Sequence, residues 1–145
     1  MKRNICVLCG AVALGFFAMN SAANAGCSRS AMLGTWNGSI ATVNAQNSAN
    51  NYTAYCKFVI KRKARDVNLT GSCTALSSNP QINGQVNNMA SESLLVEKDC
   101  TVHGTTISSL GGTSTIYGHI NNAKNTFVAS YTNSTLGVGI MSLVK

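Results

Sequence analysis

Polar and apolar residues alternate along most of the chain beyond residue 26, and no stretch there sustains a helical period. From Leu33 to Val43, Trp36, Gly38 and Ile40 fall on one side, with Thr35, Asn37 and Ser39 on the other. From Cys56 to Arg62, Cys56, Phe58 and Ile60 oppose Lys57 and Lys61. From Val67 to Ala75, Val67, Leu69, Gly71, Cys73 and Ala75 oppose Asn68, Thr70, Ser72 and Thr74. A period of two, kept this cleanly, predicts half-buried strands of an antiparallel sheet. Further strands are predicted over 81–86, 93–98, 100–107, 113–120, 125–132 and 136–144. Turn signals separate them at Asn79-Pro80, Asn87-Asn88, Gly111-Gly112, Asn121-Asn122 and Asn133-Ser134.

Short strands joined by short turns form a meander. About eight of them close into a single antiparallel up-and-down β-barrel, which removes exposed sheet edges; a two-sheet β-sandwich is the alternative. Gly71, Gly84, Gly104 and Gly118 are expected in mid-strand, where a small barrel bends sharply. The polar segment Ala45 to Asn51 is expected to be a flexible loop at one rim.

The first 25 residues break the pattern. Lys2 and Arg3 precede an apolar run from Ile5 to Met19, and Ala23-Asn24-Ala25 places small residues where a signal peptidase cuts. The run is short for a membrane span, so 1–25 reads as a cleaved secretory signal of a kind at home in a bacterium, and 26–145 as one domain. Cys6 and Cys9 leave with the signal; Cys27, Cys56, Cys73 and Cys100 remain. Four cysteines in an exported chain of this size read as two disulfides in a periplasmic or secreted protein.

The register of the second and third strands selects the pairing. With the turn at Lys63-Ala64-Arg65-Asp66, Arg62 faces Val67, Ile60 faces Leu69, Phe58 faces Gly71 and Cys56 faces Cys73. Residues so opposed lie ~4.5–5.5 Å apart at Cα, within disulfide reach. The expected bridges are Cys56–Cys73 and, by remainder, Cys27–Cys100, each contributing about 3 to 5 kcal/mol and the longer loop more.

Leu33-Gly34-Thr35-Trp36 resembles the Gly-x-Trp signature of calycins, the lipocalin and avidin-type barrels. The resemblance covers this tripeptide and the strand layout. It implies that Trp36 plugs one barrel end and that a basic residue near the end of the last strand, here Lys145, packs across it. No ligand-binding position carries over from those families.

Without Lys2 and Arg3, nine basic and four acidic residues remain, a net charge of +5. Such a balance favours anionic partners, either proteins or glycans. Lys57, Lys61, Arg62, Lys63 and Arg65 concentrate that charge on one hairpin, the first candidate binding surface; a solvated basic tip also guards a strand edge without any partner. Nucleic acid is disfavoured, because no aromatic residues interleave with these cations to stack bases. A small apolar ligand in the barrel mouth is the other expected partner.

His103 and His119 are expected outward on neighbouring strands near Tyr117, with no third ligand in sight for a metal. No metal or cofactor is called for. The acidic residues Asp66, Glu92, Glu97 and Asp99 form no opposed pair, and no Gly-x-Ser-x-Gly elbow occurs. The chain therefore reads as a non-enzymatic binding or effector barrel, such as an inhibitor or surface-interaction factor. The alternatives are a small hydrolase with an unadvertised cleft and an outer-membrane barrel. The latter conflicts with outward Asn, Thr, Ser and Lys.

Overall fold

The computed structural model describes residues 26–145; the secretory signal expected over 1–25, with Cys6 and Cys9, lies outside the described residues. A short helix α1 (Arg29–Met32) leads into eight strands: β1 (Gly34–Val43), β2 (Tyr52–Lys63), β3 (Asp66–Leu76), β4 (Val86–Val96), β5 (Thr101–Ser108), β6 (Thr113–Ile120), β7 (Thr126–Asn133) and β8 (Gly137–Val144). Each pairs antiparallel with the next, and β8 returns to pair with β1 along Asn37↔Val144 to Val43↔Val138. The sheet is a closed barrel, so the sandwich alternative is excluded.

Alternation fixes the inside. Trp36, Phe58, Ile60, Val67, Leu69 and Leu143 meet in one buried core, while Lys57, Thr70, Thr115 and Ser130 stay in water. The β2–β3 register is the expected one, with Ile60↔Leu69, Phe58↔Gly71 and Cys56↔Cys73 opposed. The turn itself is tighter, because Lys63 and Asp66 still pair and only Ala64-Arg65 bridges the strands. Both disulfides form as expected: Cys56–Cys73 across the hairpin, with Cα atoms 4.0 Å apart, and Cys27–Cys100 over 73 residues of sequence.

Three expectations need correction. Strands expected over 81–86 and 93–98 are replaced by the single β4, and Asn87-Asn88 is no turn. Asn87 points inward and accepts a hydrogen bond from the Ser108 hydroxyl at 2.8 Å, which makes an interior asparagine tolerable. A bulge between Ser91 and Ser93 then shifts the inward set from Asn87 and Met89 to Leu94, so no single period of two runs through the strand. Gly84 is also misplaced: it sits in the β3–β4 loop at φ +80°, with nothing near its missing side chain. Gly71 does lie mid-strand, where a Cβ would come 2.1 Å from the Lys57 carbonyl oxygen. Third, a single 3-10 turn at Ser48–Asn50 lies within the segment expected to be a flexible loop, and the short α1 precedes the first strand.

Among the described residues no helix is long and apolar enough to cross a membrane. The two disulfides point to an oxidising compartment, extracellular or periplasmic.

Candidate functional site

The two ends of the barrel are built differently, and that difference locates the site. At one end Trp36 is completely buried beside Phe58, its partner on β2. Its indole N–H donates to the Met32 carbonyl of α1 at 2.7 Å. The Lys145 ammonium sits 5.2 Å from the indole centroid and donates to the Ala31 carbonyl at 2.9 Å. A cation over an indole face is attracted by the ring quadrupole, while the carbonyl satisfies one of its donors. The Cys27–Cys100 bridge fastens the segment that carries α1, and the Cys27 N–H donates to the Lys98 carbonyl at 2.8 Å. This end is shut, with Trp36 as its plug and Lys145 across it.

Toward the other end the interior turns polar. The hydroxyls of Thr42 and Tyr131 hydrogen-bond inside the barrel. Burial pushes the Tyr131 phenol up to about 12; the Thr42 hydroxyl opposes that rise, and the neighbouring Tyr52 adds to it. The Asn133 amide donates to the Ser114 hydroxyl at 2.8 Å. The Thr106 hydroxyl is buried with no hydrogen-bond partner among the described residues.

Above this layer the barrel opens into a cavity of about 340 Å³. Tyr52, Ala54, Cys73 and Ala75 line its wall together with the buried Asn87, which lies opposite Cys73 on β4. The rim alternates carboxamides (Asn44, Asn50, Asn79, Gln81, Gln85) with the apolar side chains of Ile82, Leu110 and Leu136. The expected rim loop over 45–51 is held by asparagine side chains. Asn44 Oδ1 accepts from the N–H groups of Gln46 and Asn47, and Asn51 Oδ1 accepts from Asn44 N–H at 2.8 Å. The Asn79 amide donates across to Asn50 Oδ1, and the Asn79 carbonyl oxygen accepts from Ile82 N–H at 3.0 Å. Asparagine can mimic a backbone turn, so the abundance of this residue becomes a framework that positions the mouth.

None of the open-end loops, 44–51, 77–85, 109–112 and 134–136, contains a charged residue. Among the described residues the cavity lining includes no His, Asp or Glu, so it offers hydrogen bonds and apolar contact but no obvious acid–base couple.

The basic hairpin lies at the opposite, closed end. Lys57, Lys61, Arg62, Lys63 and Arg65 are all exposed. The structure adds a residue to them that sequence spacing did not suggest: the Arg29 guanidinium of α1 donates to the Ala64 carbonyl at the hairpin turn. Arg29 lies 35 positions away in sequence, and only the folding of α1 under the barrel brings it there. Lys63 reaches back to the Glu92 carbonyl at 3.4 Å.

His103 and His119 do face outward on β5 and β6, with His103 opposite Tyr117. They do not converge. His103 pairs with Glu97 at 3.1 Å, and His119 bonds the Asp99 carbonyl at 3.0 Å. Hydrogen bonds from Thr101 to the Asp99 carboxyl hold it below the usual carboxylate range. Among the described residues no group of three His, Cys, Asp or Glu side chains is placed to hold a metal.

No family model matches the sequence, and no curated protein matches it. The fold does have solved counterparts. A redesigned β-barrel, mFAP1, bound to DFHBI, superposes with a TM-score of 0.60 at 13% identity, covering 81% of this chain and 96% of that one. A second, mFAP0, also bound to DFHBI, gives 0.55 at 17% identity over 79% and 99% of the two chains. Identities this low establish a shared closed eight-stranded architecture.

Proposed function

We propose that this protein is an exported, non-enzymatic binding barrel of calycin type that holds a small uncharged molecule in its open mouth. Residues 1–25 serve in this reading as the cleaved signal. The observation that carries it is the cavity of about 340 Å³ without a charged lining residue, where Ala54, Cys73 and Ala75 meet the amide of Asn87 beneath a rim of carboxamides. Such a lining favours a neutral ligand that inserts an apolar face and presents donors and acceptors to the rim, because no opposite charge is present to offset the desolvation of an ion. The sealed end, with Trp36 beneath Lys145, supports the calycin resemblance residue by residue. The redesigned barrels solved with DFHBI lend the fold a precedent for holding a small molecule.

The test is a calorimetric and thermal-unfolding screen of neutral, anionic and cationic small molecules. Neutral ligands should bind saturably by calorimetry and stabilise the protein increasingly with concentration, by about 2.7 kcal/mol at a hundredfold excess over Kd. Ala75→Phe, which fills the cavity from its wall, should abolish this while the barrel still folds. Undiminished binding by a folded Ala75→Phe variant would place the ligand elsewhere and sink the proposal.

A further inference from the structure

We propose a second, independent binding site on the outer wall: a track along β2 that takes a linear acidic polysaccharide. Tyr55, Lys57, Lys61 and Lys63 project from one face of this strand. At 3.3–3.4 Å per residue they span about 27 Å, with outward positions about 7 Å apart and the half-buried Val59 between Lys57 and Lys61. Arg62, Arg65 and the Arg29 guanidinium at the Ala64 carbonyl extend the positive charge around the tip.

Three observations point to a polymer of charged sugars. First, the cations are unneutralised. Among the described residues the one ion pair is His103–Glu97, and Lys57 and Lys61 lie opposite Ser72 and Asn68 on β3. Asp66 is the acidic residue opposite Lys63 in the ladder, and it makes no ion pair there. Second, the track ends on an exposed aromatic face. Tyr55 is 58% exposed, and its hydroxyl donates to Asn37 Oδ1 at 3.5 Å. A phenol ring beside a lysine offers a sugar an apolar platform and a countercharge within one residue repeat. Third, the flanks carry neutral hydrogen-bonding groups: Asn37 and Ser39 on β1, Asn68, Thr70, Ser72 and Thr74 on β3.

A flat anionic membrane fits less well. Lys57 and Tyr55 lie down the wall, away from the tip that would touch a plane.

The site is tested by titrating the protein with dextran sulfate, alginate and uncharged dextran at low and moderate salt. Polyphosphate, single-stranded DNA and anionic phosphatidylglycerol vesicles serve as comparison arms. The acidic glycans should bind, uncharged dextran should not, and raising the salt should weaken binding. The folded triple variant Lys57→Ala/Lys61→Ala/Lys63→Ala should lose about tenfold or more in affinity. Tyr55→Ala should lose severalfold toward the glycans and nothing toward polyphosphate, which has no ring to stack. The mouth variant Ala75→Phe should bind glycan normally, which separates this site from the cavity. Full binding by the triple variant would overturn the proposal. So would Tyr55→Ala binding glycan at full strength, or DNA or vesicles outcompeting the glycans.

Discussion

The closed and open ends of this barrel are made from the same strands but from opposite chemistry. At the closed end Trp36, Phe58, Met32 and Leu143 are fully buried, and the loops outside them carry Arg65, Glu97, Lys98, Asp99 and Lys124. At the open end the interior holds Thr42, Thr106, Ser114 and Asn133, and the loops outside carry no charge. Burial of large apolar side chains supplies stability at one end. The other gives up part of that gain to keep a space lined with hydrogen-bonding groups. Dense apolar packing and a polar-lined cavity are thereby assigned to different ends of one small molecule.

The sharpest way to break this contrast is to truncate one apolar residue at each end. Trp36→Ala should cost about 3–5 kcal/mol in denaturant unfolding, since it empties a filled core position and orphans the Met32 carbonyl. Leu110→Ala, at a 42% exposed position on the rim, should cost less than about 0.5 kcal/mol. Equal losses would mean that the mouth is part of the core after all.

A smaller effect concerns the polar layer. The Tyr131 phenol ionises near 10 in an unfolded chain and near about 12 in the barrel. Between these values the unfolded state has released its proton and the folded state has not, so stability should fall as pH rises from about 10 to about 12. The loss is about 2–3 kcal/mol at most. Unfolding curves across that range should show the decline, and Tyr131→Phe should remove its share of it.

The smallest expected change has the opposite sign. Thr106→Val replaces an unpartnered buried hydroxyl with a methyl group and should raise stability by about 1 kcal/mol. A destabilised Thr106→Val variant would indicate that this hydroxyl is satisfied in solution.

The closed end was the more legible in the sequence. Phe58, Ile60, Val67 and Leu69 alternate without interruption, so the β2–β3 register and the Cys56–Cys73 bridge followed from counting. Trp36 and Lys145 were locatable because a resemblance named their roles and the strand order brought them together. The mouth was not legible, because carboxamides in loops have no period. Asn79 reads as a turn residue, and Gln81 and Gln85 as part of a strand, until the fold aims them at one space. β4 failed for a related reason: its bulge changes which residues face inward halfway along. Arg29 was invisible as part of the basic surface because four residues of helix give no periodic signal. The length of Tyr55 to Lys63 was readable, but the neutral Ser, Thr and Asn flanks of that track depend on which strands lie beside it.

Closure of the sheet through β1 and β8 also imposes an order on assembly. A chain that emerges with its N-terminus leading exposes β1 first and β8 last. Until Gly137–Val144 arrives, β1 keeps a bare row of amides and carbonyls open to any passing strand. Closure of the barrel therefore waits for its last strand. The interval before the last strand docks is when the chain most needs a chaperone or a short transit time.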